Sequence, residues 1–478
     1  MLTDIRGLGE ECGIFGIWGH KDAVQVAYYG LHSLQHRGQE GAGIVVKNGN
    51  SLTQYRGRGL VSEVFTKEVL DGMEGTAAVG HVRYSTAGRH DLANVQPFLF
   101  HFADDSLALC HNGNLVNAQR LRRELEAQGS IFQTSSDSEV LAHLIKRNPR
   151  PTLSETLKWS LKRIVGGFAY LILTQDEMIA ALDPNGFRPL SIGKLGGSGP
   201  SAYVVASETC AFDAIGAEYI RDVQPGEMIK INNRGMKAEQ YTYETNLAIC
   251  SFEYIYFARP DSNIAGVNVH TARKRMGKIL AQESKVEADV VTAVPESGVS
   301  AAIGFAEEAK ISYEMGLIKN RYIARTFIQP SQELREQGVK MKLSAVRSIV
   351  EGRRVIVVDD SIVRGTTTTR MVELLREAGA KEVHVRVSSP LLKFPCFYGI
   401  DIQTTRELIG FDHTVEEVRE MIGADSLAFL SEEGLVNAVN LPKGGKYKGL
   451  CMAYFNGDYP TQLYDFEKEL RSAGLVRP

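Results

Sequence analysis

Two acidic residues close an apolar run in the second half of the chain, Val355-Ile-Val-Val-Asp359-Asp360-Ser361-Ile-Val-Arg364-Gly365-Thr366-Thr367-Thr368-Thr369. An apolar run without polar alternation reads as a buried strand of a parallel sheet, and such sheets bind ligands beyond the carboxyl ends of their strands. Asp359 and Asp360 would stand at that end, where carboxylates meet ribose hydroxyls or a hydrated Mg²⁺. The turn that follows, Ser361 through Arg364, Gly365, Thr366 and Thr367, is small, rich in hydroxyls and leads into a helix N-terminus, so its N–H groups and hydroxyls suit a phosphate. Paired acids after a strand also serve as N-caps, and it is the whole motif that carries the reading of a phosphoribose site.

The second reactive candidate is a thiol. Cys12-Gly13-Ile14-Phe15-Gly16 opens a strand pattern behind Glu10-Glu11. The same half holds Leu34-Gln35-His36-Arg37-Gly38-Gln39-Glu40-Gly41, Gly80-His81-Val82-Arg83-Tyr84-Ser85-Thr86, His111-Asn112-Gly113-Asn114 and Ser135-Ser136-Asp137-Ser138-Glu139. A rival nucleophile is Cys110 beside His111. Neighbours on a strand point to opposite faces, so these two do not act as a pair, and Cys110 reads as core with His111 as support. Arg37 stays open between a role near the nucleophile and a structural ion pair.

Positioning these groups takes two kinds of scaffold. Up to about Tyr243 short strands alternate with a few helices. The strands are Cys12 to Trp18, Gly43 to Val46, Ala77 to Tyr84, Ser106 to Cys110, Ala169 to Thr174 and Ala202 to Ser207. Helices are predicted over Ala23 to Gln35, Ala118 to Ala127, Ser138 to Lys146 and Leu153 to Ile164, an α+β texture. From about Asn268 strand and helix alternate. Thr271 to Glu283 and Val299 to Lys310 are helices around a strand at Asp289 to Val294; Arg354 to Val358 and Val383 to Val387 are strands around a helix from Thr368 to Ala378 that Gly379 caps. That is a parallel α/β sheet. Ala324 to Ser344 has no clear period and reads as a long mobile loop.

The 478 residues, 44% hydrophobic and 23% charged, are those of an ordinary globular protein with about two or three domains. Lys plus Arg number 54 against 57 Asp plus Glu, and a net charge of -3 gives no general case for nucleic acid or anionic membranes. Cys12, Cys110, Cys210, Cys250, Cys396 and Cys451 are too sparse for a disulfide framework, so a reducing cytoplasm is expected. No secretion signal is visible at the N-terminus, and no apolar run reaches the ~18 residues of a membrane span.

The acid-pair motif resembles the phosphoribosyl diphosphate fingerprint of type I phosphoribosyltransferases, and Val294-Pro295-Glu296-Ser297 resembles that family's diphosphate and metal contact, over about Asn268 to Ala424. This implies phosphoribosyl diphosphate bound by Asp359, Asp360, Ser361, Arg364, Gly365, Thr366 and Thr367, with Mg²⁺ at Ser297, Asp359 and Asp360. Lys319, Arg321 and the cations of the long loop suit the charge neutralisation that displacement of diphosphate from C1′ needs. The first half, about Cys12 to Tyr243, resembles the N-terminal-nucleophile glutamine amidotransferases, which implies a layered αββα fold. It also implies Cys12 as nucleophile, freed by removal of a propeptide, Met1 to Glu11. A free α-amine titrates near ~8 and can take the thiol proton, which an amide nitrogen cannot. Asn112 and the Gly113 N–H would hold the oxyanion, Arg83 the glutamine α-carboxylate and Asp137 its α-amino group.

Together the halves resemble the amidophosphoribosyltransferase family, with the chain divided as propeptide 1–11, amidotransferase domain 12–243, linker 244–267, phosphoribosyltransferase domain 268–424 and C-terminal segment 425–478. The resemblance implies that ammonia from glutamine crosses an apolar passage to C1′ of phosphoribosyl diphosphate, giving 5-phosphoribosylamine, the first step of de novo purine synthesis. It further implies purine nucleotides as feedback inhibitors and a homotetramer. A sensor that binds phosphoribosyl diphosphate without turnover is the alternative, and glutamine-dependent release of diphosphate separates the two. Members with a propeptide often carry a [4Fe-4S] cluster on four cysteines. Cys250, Cys396 and Cys451 match three positions, but Lys448 and Tyr454 stand where the fourth is required, so the expectation is three buried apolar cysteines.

Overall fold

A computed structural model describes residues 12–84, 92–102, 105–196, 201–320, 343–400, 404–442, 446–467 and 470. Met1 to Glu11, Ser85, Thr86, Arg321 and nearly all of the Ala324 to Ser344 loop lie outside the described residues. The last two loop residues, Leu343 and Ser344, belong instead to a strand, Leu343–Ala345, paired antiparallel with Leu317–Lys319. Three residues are too few to show a period, so only the partner strand reveals it.

The first half is two stacked antiparallel sheets between helices. Strand Gly13–Trp18 buries all its residues because it lies inside the seven-stranded sheet, between Ala77–Arg83 and Ala202–Ala206. The six-stranded sheet is centred on Met178–Leu182, Gly166–Leu173 and Ser106–Leu115. Ile14, Val79, Cys110, Leu171 and Val205 fill the space between the sheets. Helix Ala23–Ser33 covers the outer face of the first sheet, and Ala118–Ala127, Glu139–Arg147 and Leu153–Leu161 cover that of the second. This is the expected αββα layering.

The strand expected at Ser106 to Cys110 continues to Leu115, so His111, Asn112 and Gly113 sit on the ladder opposite Tyr170, Ala169 and Phe168. Polar residues extend this strand because its pairing, not its apolar pattern, decides its length. Gly113 has φ +138°, and a Cβ there would strike the Gly167 carbonyl oxygen.

In the second half Val290–Ala293, Arg354–Asp359, Glu382–Val387 and Ser426–Phe429 form a four-stranded parallel sheet. Its fourth strand comes from residues read as the C-terminal segment. Gly379, at φ +94°, lies one residue past Ala378, the cap of helix Thr366–Glu377. Residues 244–267, read as a linker, are built into the structure: Ile249–Cys250 pairs in parallel with Leu450–Cys451, and Glu253–Phe257 makes one π-helical turn. Among the described residues no helix is long and apolar enough to cross a membrane.

The halves meet along a seam of buried charge. Arg37 Nη1 donates to Glu208 at 2.6 Å and to Glu253 at 3.0 Å, and Nη2 donates to Glu253 at 2.7 Å. Glu208 also contacts His36 at 2.7 Å and accepts from the Arg259 N–H at 2.9 Å and the Ser262 hydroxyl at 2.7 Å. Around this network Phe187 stacks on Tyr398 with centroids 4.1 Å apart, Arg188 donates to the Tyr398 carbonyl at 2.7 Å, and Asn114 to the Phe397 carbonyl at 2.9 Å. Burial alone would raise the Glu208 carboxyl, but the charges of His36 and Arg37 and their hydrogen bonds hold it well below the usual carboxylate range.

Two outcomes follow from this packing. Helices Val269–Glu283 and Val299–Ala309 cross with backbone nearly in contact, since a Cβ on Gly277 would strike the Ala301 carbonyl and one on Gly304 the Lys274 carbonyl. Gly277→Ala adds up to ~1 kcal/mol of helix propensity, yet overpacking costs about 1–3 kcal/mol or more, so its urea midpoint should fall. For Glu208, a carboxyl depressed on folding contributes stability fully present above its unfolded pKa of about 4.3 and lost progressively as pH falls from there through its much lower folded value. Glu208→Gln should lose about 3–5 kcal/mol at pH 7 and a smaller amount near pH 3 in urea unfolding. An equal loss at both pH values would mean that the ionised carboxylate contributes nothing.

Candidate active site

Cys12 precedes the central strand of the first sheet and is 9% exposed. Its thiol donates to the Tyr84 carbonyl at 3.4 Å, and its own carbonyl accepts from Arg37 Nε at 3.1 Å. Gly13 pairs with Val82 across the sheet, which brings the nucleophile candidate beside buried Arg83. Gly38 makes this approach possible, because a Cβ there would lie 2.6–2.7 Å from Val82 and Arg83 backbone atoms.

A histidine joins the two sheets at this place. His81 Nε2 lies 3.1 Å from the His111 carbonyl, within one or two residues of Arg83 on one strand and Asn112 on the other. Burial lowers the His81 pKa to about 3, so the ring is a neutral tie. His111 stacks on Tyr170 at 4.4 Å, with Nδ1 2.8 Å from the Ser138 hydroxyl and 3.7 Å from Asp137. The expected separation of Cys110 from His111 is observed: one faces the inter-sheet core and the other this network.

Asp137 accepts from the Leu115 N–H at 2.9 Å. Burial pushes its carboxyl up, but the His111 charge and hydrogen bonds from His111, Leu115 and Ser138 outweigh this and keep it below the usual range. The side-chain amide nitrogen of Asn112, itself 1% exposed, has no hydrogen-bond partner among the described residues. A buried donor left open costs free energy unless something accepts from it, and here it is aimed at no protein acceptor. A charged carboxylate and an open amide donor, on strands and turns tied through His81 to the strand that carries the thiol and a buried arginine, suit binding of an amino acid and acyl transfer from its side chain.

The acid pair forms a separate site. Asp359 ends strand Arg354–Asp359, and the neighbouring strand leads through Val294, whose N–H donates to Val358 at 2.9 Å, to Ser297, which hydrogen-bonds Asp360. Asp359 accepts from the Asp360 N–H at 2.9 Å and Asp360 from the Ser361 hydroxyl at 2.5 Å. Gly365, at φ +79°, turns the chain into helix Thr366–Glu377, leaving Thr366 and Thr367 exposed on its first turn. Arg364 is also exposed and pairs with Glu407 at 3.1 Å. Burial and the adjacent Asp360 charge raise the Asp359 carboxyl well above the carboxylate range; burial raises Asp360 as well, against hydrogen bonds from Ser297 and Ser361 and the charge of Arg273.

The sequence left Arg37 open between a role near the thiol and a structural ion pair, and it makes both contacts; Glu208, Glu253, Arg188 and Arg273 were missed. Arg273 was detectable, since it interrupts the apolar stripe Val269, Ala272, Met276 and Leu280 on one helix face. Glu253 stood out similarly, a lone acid in the aromatic run Ser251-Phe-Glu253-Tyr-Ile-Tyr-Phe257.

Comparison with known proteins finds relatives of both halves. Residues 81–214 match the glutamine amidotransferase domain family and residues 268–389 the phosphoribosyl transferase domain family. An amidophosphoribosyltransferase of Bacillus subtilis (strain 168) is 63% identical over 465 residues, 97% of each chain, and one of Staphylococcus aureus (strain Mu50 / ATCC 700699) is 55% identical over 472 residues, 98% of this chain and 95% of its own. The solved glutamine phosphoribosylpyrophosphate amidotransferase of B. subtilis, complexed with ADP and GMP, superposes with TM-score 0.90 at 62% identity, covering 95% of this chain and 98% of that one. A structure described as the allosteric regulatory enzyme of purine biosynthesis gives TM-score 0.91, also at 62% identity, covering 95% of this chain and 97% of that one. With a thiol site on an αββα sandwich and an acid-pair site on a parallel sheet in one chain, it belongs to the amidophosphoribosyltransferase family.

Proposed function

We propose that this chain makes 5-phosphoribosylamine, glutamate and diphosphate from glutamine, phosphoribosyl diphosphate and water, with Cys12 and the Asp359-Asp360 pair at the centres of two linked sites. The observation that carries the reading is the open, buried Asn112 donor on the strand that His81 ties to the strand beside Cys12, in a chain that also ends a parallel strand at an acid pair. Removal of Met1 to Glu11 bares the α-amine of Cys12, which takes the thiol proton, and the thiolate attacks the glutamine carboxamide. Asn112 and the Gly113 N–H hold the oxyanion, Arg83 binds the α-carboxylate and Asp137 the α-ammonium. Ammonia leaves unprotonated across the seam, whose apolar packing around Phe187 and Tyr398 supports a dry path.

At the second site Asp359 and Asp360 take the ribose hydroxyls, while Ser361, Arg364, Gly365, Thr366 and Thr367 hold phosphate at the helix N-terminus. Two adjacent carboxylates raised by burial, Asp359 also by the charge of Asp360, fit a divalent cation. Asp359, Asp360 and Ser297 would hold Mg²⁺, whose positive charge would offset that of the diphosphate leaving group.

A [4Fe-4S] cluster does not fit the residues present. Tyr454 occupies the fourth position with its buried side chain acting on Cys396, while the Lys448 amine donates to Asn437 at 3.1 Å. Burial raises the Cys396 thiol and pushes Cys451 up to about 12, against the thiolate a cluster needs. Anaerobically purified protein should contain far less than one iron per chain by mass spectrometry; a stoichiometric cluster would overturn this reading. The B. subtilis structure with ADP and GMP supports purine nucleotides as inhibitors of this chain, and we extend the family's tetrameric state and cytoplasmic location to it.

Cys12→Ala should lose glutamine-dependent synthesis and keep synthesis from ammonium salt at alkaline pH, whereas Asp359→Asn and Asp360→Asn should lose both. Asn112→Ala should reduce glutamine hydrolysis by about 10²–10³-fold. Glutamine hydrolysis surviving in Cys12→Ala would remove the nucleophile assignment, and near-normal ammonia-dependent synthesis in both aspartate variants would remove that of the acid pair. N-terminal sequencing of the active protein should begin at Cys12.

A further inference from the structure

Glu253 lies outside both matched domains, yet it grips the residue that touches the nucleophile. Its carboxylate accepts from both Nη groups of Arg37, at 3.0 and 2.7 Å, and Arg188 lies 3.6 Å away. The same Arg37 guanidinium donates its Nε–H to the Cys12 carbonyl at 3.1 Å. All three charged side chains are fully buried.

Neutralising Arg37 does not require Glu253, because Glu208 already binds Nη1 at 2.6 Å. A second buried carboxylate carries a desolvation penalty, and what it adds is direction. Held at both Nη groups, the planar guanidinium fork has a fixed orientation, and its Nε–H must then point at the Cys12 carbonyl. That carbonyl belongs to the residue whose amine has to reach its own thiol, so small displacements there matter to rate.

Glu253 is itself fixed from the other site. It opens the π-helical turn Glu253–Phe257, and the carbonyls of Tyr254 and Ala258 accept from Arg273 at 2.7 and 2.8 Å. Arg273 is buried on helix Val269–Glu283 and interacts electrostatically with Asp360. Side chains and one turn thus connect the Cys12 backbone to the acid pair.

We propose that Glu253 is a positioning residue of the glutaminase site, acting through Arg37 from outside the amidotransferase domain, with its turn anchored by Arg273 beside the phosphoribose acids. This rests on the reading of Cys12 as the glutamine nucleophile. The test is steady-state kinetics of the full-length processed enzyme with Glu253→Gln, which keeps shape and removes charge. Glutamine-dependent turnover should fall by about tenfold or more with KM for glutamine changed by less than about twofold, and ammonia-dependent synthesis should stay within about twofold of wild type. Glu253→Asp should recover part of the loss. Unchanged glutamine turnover, or a parallel fall in both activities, overturns the proposal. If Glu253→Gln does not fold, Arg37→Lys decides, since it keeps the positive charge and loses the fork: selective loss of glutamine turnover supports the proposal and wild-type turnover overturns it. Cys12→Ala run alongside separates the two levels. Persistent glutamine hydrolysis there defeats the nucleophile reading, while an inactive Cys12→Ala with an unaffected Glu253→Gln defeats only this one.

Discussion

A guanidinium and two carboxylates share the dry space where the halves of the chain meet, and withdrawing Arg37 would take from both buried carboxylates the cation they share. Glu208 and Glu253 lie 171 and 216 residues from Arg37 in the chain. Their pairing therefore ties the helical turn Gln35–Arg37 to a strand end and to the connecting segment at once. Interfaces between domains of one chain are ordinarily polar and permit relative motion. Here the connecting segment is itself structural, paired through Ile249–Cys250 and buried through Phe252 and Tyr254, so the halves are held by packing and charge together.

The two sites handle charge in opposite ways. Around Cys12 the charges are already settled among the described residues: His81 is neutral, and Asp137 stays ionised because His111, Leu115 and Ser138 serve it, while the Asn112 amide is left as an open donor. Charges held in place before a ligand arrives are the condition for a preorganised site. At the other site two adjacent carboxyls are pushed upward by burial, and the nearest fixed positive charge, Arg273, is committed to backbone carbonyls. That arrangement favours ligands that bring positive charge with them. With a net charge of only -3 over the chain, such local imbalance, not a general field, selects the ligands.

Much of this organisation was legible in the residues alone. Helix Ala118–Ala127 matches its periodicity at both ends, and the strand before Asp359 announces itself by lacking any polar alternation. The motifs around Cys12, Arg83, Asn112 and Asp137 were legible because the groups for one chemistry cluster within short segments. What escaped was decided by pairing at a distance. Ser426–Phe429 is too short to show a period and becomes a strand only against Glu382–Val387. Leu343–Ala345 owes its state to Leu317–Lys319. Glu208 and Glu253 escaped for the same reason: a carboxylate in an apolar run looks costly until its partner is known, and that partner lies far along the chain.

Cys250, Cys396 and Cys451 show how a motif with one member missing is to be weighed. Cys250 and Cys451 face one another in a parallel strand pair, so both positions serve packing whether or not a fourth thiol exists. Each is 3–4% exposed, as is Cys396, and free cysteine in such places behaves as a small apolar residue. Tyr454 adds bulk, packing edge-on to Phe252 at 4.8 Å, and a hydroxyl that meets Cys396. A large side chain that fills the space a fourth cysteine would leave lets the three thiols pack within one apolar and aromatic cluster with Phe252, Tyr454 and Phe455. Retention of three cysteines therefore follows from the packing of the C-terminal segment against the connecting segment, a role that needs no iron.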